Sequence, residues 1–330
     1  MTHPTARFDA IDSAKGIGII LVVFGHAWRG AFGAGLIPNT VLFGAIDAGI
    51  FAFHMPLFFF LSGRLFLETL RKYDMGKLLK GRVTRLLWPM ALWLWLFFGI
   101  KLLGGASVNS PVARSDMPII PLPPYEHLWF LWALFLCQTL LILIYAVTPR
   151  SIPNFMWGLI TGGVGLALVV INPYMPVPSL IWGPMVTHIP FFLIGVAIGS
   201  GEMKAPPRGL SALAVGVFAA LVYLVMSGTL QTVTILTSCQ MIIFAWMAWL
   251  GADQGAEVWL LRTLRYLGKV SMVIYLTHTI FSAALRIVMV RVGLDDLTLT
   301  QAATTLIGLT APVAVLWGAR KLRMTKLLGF

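Results

Sequence analysis

Charge is scarce in this chain: of 330 residues only 11% are Asp, Glu, Lys or Arg, and 12 acidic residues stand against 24 basic ones. A soluble domain carries about a quarter charged residues, so a soluble globular fold is excluded. Cysteine is scarcer still. The two present, Cys137 and Cys239, both lie in apolar runs, which argues against a disulfide framework and against a metal site, and no metal is expected. Polar blocks are missing as well, with no soluble stretch longer than about 25 residues between hydrophobic runs. No periodic repeat or low-complexity tract divides the chain, and SGEMKAPPRG (200–209) reads as a plain connector, so residues 1–330 form one domain.

What fills the chain is apolar: 58% hydrophobic residues and a mean hydropathy of +0.88 describe a polytopic, all-α membrane helix bundle. Ten helices are predicted, near 13–30, 41–63, 85–104, 127–147, 155–171, 180–199, 209–227, 231–250, 267–290 and 301–319. Lys15 leads straight into an apolar run of spanning length with no small-residue cleavage pattern after it, so the first helix is expected to be retained. With both termini cytoplasmic, only Arg29, Lys101, Arg114, Arg286 and Arg291 fall on the outer side, leaving 19 of the 24 basic residues inside. That bias follows the positive-inside rule and accounts for most of the +12 net charge, so nucleic acid is not needed as a partner. A multi-pass protein of the bacterial inner membrane is expected, in contact with membrane lipids, and monomer and homo-oligomer both remain open. Two connections stand apart. Residues 64–85 read as an inner loop with seven basic residues in 22, and residues 104–126 as a stiff outer loop rich in Pro, Ser and Gly.

The first helix, DSAKGIGIILVVFGHAWR (12–29), carries ionisable groups where they are costly and usually functional. Eleven residues at 100° each place Lys15 and His26 only about 20° apart around the helix and about 16 Å apart along it. Asp12 and Lys15, spaced i,i+3, suit an ion pair at the membrane edge, and a topology anchor explains them as well as function does. His26 has no anchoring duty, titrates near neutrality, and is read as functional. On the second helix, Asp47 and His54 are seven residues apart and are expected to share a face, with His54 at the depth of His26; Pro56 frees a carbonyl beside them. Ser271, Tyr275, His278 and Ser282 make a polar stripe along the ninth helix, the serines as helix–helix glue. Thr234, Thr237, Ser238 and His188 are left to packing, and Ala14, Gly18 and Gly25 form a close-packing stripe. Arg82 and Arg85 in GRVTRLLWP are an i,i+3 pair with planar donors suited to phosphate, though topology and anionic lipid also account for arginines there. In EHLWFLW (126–132), Trp132 reads as interfacial belt, while Trp129 beside His127 also suits stacking on a sugar.

Together these segments resemble the acyltransferase 3 family of integral membrane acyltransferases, in particular its fucose 4-O-acetylase-like branch. The matching pieces are DSAKGIGIILVVFGH, FHMPLFFFLSG (53–63), RVTRLLWP, HLWFLWAL and GKVSMVIYLTHTIF (268–281), in the family's order. Lys15 departs from the pattern, since many relatives have arginine there. The resemblance implies transfer of an acetyl group from cytoplasmic acetyl-CoA to a hydroxyl of a surface polysaccharide or lipid-linked sugar on the outer side. It implies His26 as general base or transient acyl carrier, with direct transfer preferred; His54, Asp47, Tyr275 and His278 would orient it or stabilise the oxyanion. Asp12, Lys15, Arg64, Arg82 and Arg85 would meet the coenzyme, and His127 and Trp129 the acceptor. A transporter or flippase of a lipid-linked sugar, with His26 and His54 as a proton relay, is the competing class; the inverted repeat and paired broken helices that mark it are not found.

Overall fold

A computed structural model describes residues 4–124, 126–149, 151–175, 179–201, 206–229, 235–252 and 259–330. Arg150, Lys204 and Thr234 lie outside these, as do the side chains of Arg7 and Arg208. The fold is all helix: α1 (Pro4–Gly33), α2 (Thr40–Phe51), α3 (His54–Arg64), α4 (Phe66–Lys72), α5 (Met75–Arg82), α6 (Trp88–Gly104), α7 (Trp129–Val147), α8 (Asn154–Ile171), α9 (Gly183–Gly199), α10 (Arg208–Met226), α11 (Ile235–Ala252), α12 (Trp259–Lys269), α13 (Ser271–Arg291), α14 (Leu297–Lys321) and α15 (Thr325–Leu328). Among the described residues eight helical segments are long and apolar enough to cross a membrane, and two shorter apolar helices accompany them, Gly183–Gly199 and Thr237–Met247. The protein is thus a polytopic helical bundle.

Three departures from the predicted pattern shape the site. The span expected at 41–63 is two helices, because Pro56 has no N–H for the carbonyl of Ala52 and its ring crowds that carbonyl. The chain turns at Ala52 and Phe53 and restarts at His54. The segment 64–85, expected as a loop, is instead the helices α4 and α5, with Asp74 capping α5 by accepting the N–H of Lys77 at 2.9 Å. Beyond α5 the helix continues through a π turn over Val83–Leu87. Pro89 lacks the N–H that would bond the Arg85 carbonyl, and the wider turn re-registers the ladder just ahead of it. The third departure is α12. It was not anticipated, being short and amphipathic, with Leu261, Leu264 and Gly268 inward.

α1 runs through the centre, packed by α3, α12, α13 and α14. Glycines set the closest crossings, as is usual between membrane helices. A Cβ on Gly16 would lie 2.1 Å from the Leu264 carbonyl oxygen and one on Gly268 1.8 Å from that of Asp12, which fixes α12 against the start of α1. Gly18 and Gly25, expected to pack closely, lie against Phe58 and against Ile50 and Phe51. α9 carries Pro190 in its interior, and the Val186 carbonyl that proline leaves unbonded accepts the Asn172 side chain at 2.8 Å.

Candidate active site

Two cavities open along α1. The first, about 570 Å³, is lined by Asp12, Lys15 and Ile19 of α1, by Met55, Phe58 and Ser62 of α3, by Arg82 and Arg85, by Gln138 of α7, and by Lys269, Ser271 and Tyr275. The second, about 800 Å³, is lined by His26, Arg29 and Gly30 of α1, by Phe51, His54 and Met55, by Lys101, Asn109, Glu126, His127 and Trp129, and by Tyr275, Thr279, Ser282 and Arg286 of α13. We call them the basic cavity and the histidine cavity. Met55 and Tyr275, both buried, line both cavities and so mark the wall they share. Lys15 and His26 sit on one side of an unbroken helix, as their spacing requires, and reach different cavities because they are three turns apart.

In the basic cavity Lys15 pairs with Asp12 at 3.6 Å. Arg82 donates from Nη1 to Oε1 of Gln138 at 2.8 Å, and the Gln138 amide donates to the Ser62 hydroxyl at 2.8 Å, so this guanidinium is held by a relay from α7 to α3. Arg85, carried by the π turn, is exposed. Lys269 joins them; the sequence reading counted it only toward topology. Arg64 does not line the cavity. It is 2% exposed and donates to the Gly199 carbonyl at 3.5 Å, enclosed where α3 crosses α9 with Gly195 and Gly199 at the contact. Arg64, expected to meet the coenzyme, thus lies outside the lining of this cavity, where the two glycines bring the α3 and α9 backbones close together.

His26 and His127 line the histidine cavity, and His278, buried against both, completes a group of three imidazoles. Ring centroids are 5.0 Å apart for His26 and His278, 5.2 Å for His127 and His278, and 5.6 Å for His26 and His127, each pair edge to face. Nδ1 of His26 lies 2.8 Å from the Val22 carbonyl oxygen, and Nδ1 of His54 2.7 Å from that of Ile50. Nδ1 of His278 lies 2.9 Å from the carbonyls of Ile274 and Tyr275. A carbonyl only accepts, so Nδ1 carries the hydrogen in each neutral ring and Nε2 keeps its lone pair. The buried Nε2 atoms of His54, His127 and His278 have no protein partner, and neither has the Thr279 hydroxyl. The arrangement leaves His26 Nε2 with its lone pair in the wall of this cavity, which the unpartnered Thr279 O–H also lines. The described residues include no group of three or more His, Cys, Asp or Glu side chains placed to hold a metal ion.

His127, expected to meet the acceptor, lines the histidine cavity from within the imidazole group, and the Tyr275 hydroxyl donates to its carbonyl. Glu126 adopts φ +50°, uncommon for a residue with a side chain, and pairs with Lys101. Asp47 and His54 lie on separate helices, because the turn at Ala52 and Phe53 breaks the helical phase on which their shared face depended. Asp47 takes a two-pronged bond from Arg29, at 2.6 Å from Nε and 2.8 Å from Nη2, and the same guanidinium stacks over Phe51. His54 lines the cavity beside Phe51. Trp129 lines it too, its ring 5.0 Å from His188, while Trp132 donates to the Ile181 carbonyl at 2.9 Å. Ser282 serves as glue, donating to the Thr304 carbonyl at 2.8 Å, whereas Ser271 lines the basic cavity. Thr237 and Ser238 are buried in packing.

A family model described as an acyltransferase domain matches residues 8–319. The chain is similar to the nodulation protein NolL of Sinorhizobium fredii, at 30% identity over 191 residues, covering 57% of this chain and 48% of that protein. It is also similar to the nodulation protein NolL of Mesorhizobium japonicum, at 25% identity over 188 residues, 56% of this chain and 46% of that one. Each match thus spans about half the length of the curated relative. No solved structure matches the chain.

Proposed function

The chain belongs to the acyltransferase 3 family, and from that premise we propose that it moves an acetyl group from acetyl-CoA to a hydroxyl of a cell-surface glycan or lipid-linked sugar across a bacterial inner membrane. The observation that carries this reading is the pair of cavities meeting at Met55 and Tyr275, one basic and the other holding a free imidazole Nε2. On this reading the basic cavity faces the cytoplasm, and Lys15, Arg82, Arg85 and Lys269 take the phosphates of the coenzyme, Arg82 and Arg85 as planar forks. The pantetheine arm then extends along α1 toward the shared wall, presenting the thioester to His26. The acceptor enters the histidine cavity from the opposite side of the bundle, past Trp129.

His26 Nε2 takes the proton of the acceptor hydroxyl as that oxygen forms a bond to the thioester carbonyl carbon. Negative charge gathers on the carbonyl oxygen, and the unpartnered Thr279 hydroxyl is the donor for it. The tetrahedral species collapses, the carbon–sulfur bond breaks, and the imidazolium returns the proton to the departing thiolate. Val22 holds the ring from behind through Nδ1 and so fixes which nitrogen does this work. His127 and His278 wall the ring on two sides.

The test uses the purified full chain in detergent micelles with radiolabelled acetyl-CoA and a polysaccharide acceptor. His26→Ala is expected to lower label transfer by about 10² or more, the contribution of a general base. Undiminished transfer by that variant would remove His26 from the chemistry.

A further inference from the structure

The histidine cavity has three cations in its wall, and they differ in how they are satisfied. Arg29 is held by the Asp47 carboxylate and Lys101 by that of Glu126. Arg286 has no carboxylate. It is 7% exposed, donates from Nη1 to the Asn109 side-chain oxygen at 2.8 Å, and makes no other hydrogen bond or ion pair among the described residues. A guanidinium buried with a single neutral partner is costly, and of its four remaining coplanar N–H groups a parallel pair makes a fork suited to an anion.

The position of that fork is fixed from three sides. A Cβ placed on Gly30 would lie 3.3 Å from Arg286 Nε and 3.8 Å from Cζ, so the guanidinium rests on the α1 backbone where there is no side chain. Asn109 braces it from the 105–124 connection and is itself tied down, its amide donating to the Gly30 carbonyl at 3.0 Å. Gly30 follows His26 by four residues on nearly the same face, which puts the fork about one helical turn, or 6 Å, beyond the base on the side away from the basic cavity. Tyr275, Thr279, Ser282 and Arg286 also follow one another along the cavity face of α13, from the shared wall outward.

We propose that Arg286, braced by Asn109 over Gly30, is an anion subsite for the acceptor, taking a carboxylate or phosphate oxygen about one sugar unit from the hydroxyl that is acylated. This rests on the reading of the histidine cavity as the acceptor's side. The cavity is otherwise charge-balanced, so Arg286 selects acidic acceptors over neutral ones of the same shape. A uronic acid and a phosphate-linked sugar both supply the required chemistry.

The experiment takes the full chain in nanodiscs and measures thermal stabilisation by glucuronate, by glucose 1-phosphate and by glucose. In the wild type at least one charged sugar is expected to bind roughly tenfold or more tightly than glucose, and whichever charged arm is stronger identifies the source of the anion. Arg286→Gln is expected to bring the charged sugars down to the glucose level, and Arg286→Lys to keep part of the preference, since it retains charge but loses the fork. Asn109→Ala, a change at an exposed residue, is expected to weaken the preference severalfold with the fold intact. Equal affinities for charged and neutral sugars in the wild type, or an undiminished preference in Arg286→Gln, would overturn the subsite. Label transfer from acetyl-CoA is run on the same preparations: preference without transfer overturns acyl transfer and leaves the subsite, and transfer without preference does the reverse.

Discussion

Four cations face one carboxylate in the basic cavity, whereas in the histidine cavity two of three cations are bound to carboxylates and the remaining polar wall is imidazole, amide and hydroxyl. The first surface is an excess of one charge, suited to gathering a polyanion from water at a distance. The second holds two of its three cations in fixed pairs, so the groups left to act on a ligand are Arg286, the Thr279 hydroxyl and the imidazole Nε2 atoms of His26, His54 and His127. On the proposed reading the difference separates affinity from chemistry along α1, with Lys15 at one end of the face and His26 at the other. A variant on one side should therefore leave the other side's kinetics untouched.

Three substitutions sharpen or break that separation. The largest effect is expected from Arg82→Ala with Arg85→Ala. Losing two charge-assisted contacts, each of about 1.5–3 kcal/mol, should raise the KM for acetyl-CoA by at least tenfold, more at low salt, with kcat nearly unchanged. A fall in kcat at constant KM would place those arginines outside coenzyme binding. Next is Tyr275→Phe, which leaves the His127 carbonyl without its donor. A buried acceptor so orphaned costs about 1–3 kcal/mol, and kcat should drop about tenfold as His127 loosens in the imidazole group. Because Tyr275 lines both cavities, steady-state kinetics in each substrate tell whether the wall also guides the coenzyme. The smallest effect is expected from Asp47→Asn. Its ion pair with Arg29 is partly exposed and worth about 1 kcal/mol or less, so Tm should fall by about 2–4 °C at most and neither KM should move. A large kinetic defect there would bring Asp47 back into the chemistry.

What could be read from the sequence follows where helical phase is unbroken. Lys15 and His26 lie on a continuous helix, so 100° per residue places both correctly, and Arg82 with Arg85 survives the π turn because both still face the same cavity. Where phase is interrupted the reading fails. Asp47 and His54 are separated by the turn that Pro56 forces, and a count of seven residues across it means nothing. His127 lies on an irregular turn with no periodicity at all, so its burial among the other imidazoles comes from tertiary packing alone. Arg64 is expected from the resemblance to meet the coenzyme and Arg286 is counted only as outer-side charge, and only the glycine crossings of α9 and α1 show the first enclosed between helices and the second beside a cavity. α12 escaped because eleven amphipathic residues carry no spanning signal.

The wall formed by Met55 and Tyr275 has a consequence of another kind. On the proposed reading, water reaches the bundle from both faces of the membrane, and a thioether and a phenol stand where the two columns would meet. Insulation against ion leak then resides in the same two side chains past which the acetyl group is handed over, so shrinking either one would show first as a conductance.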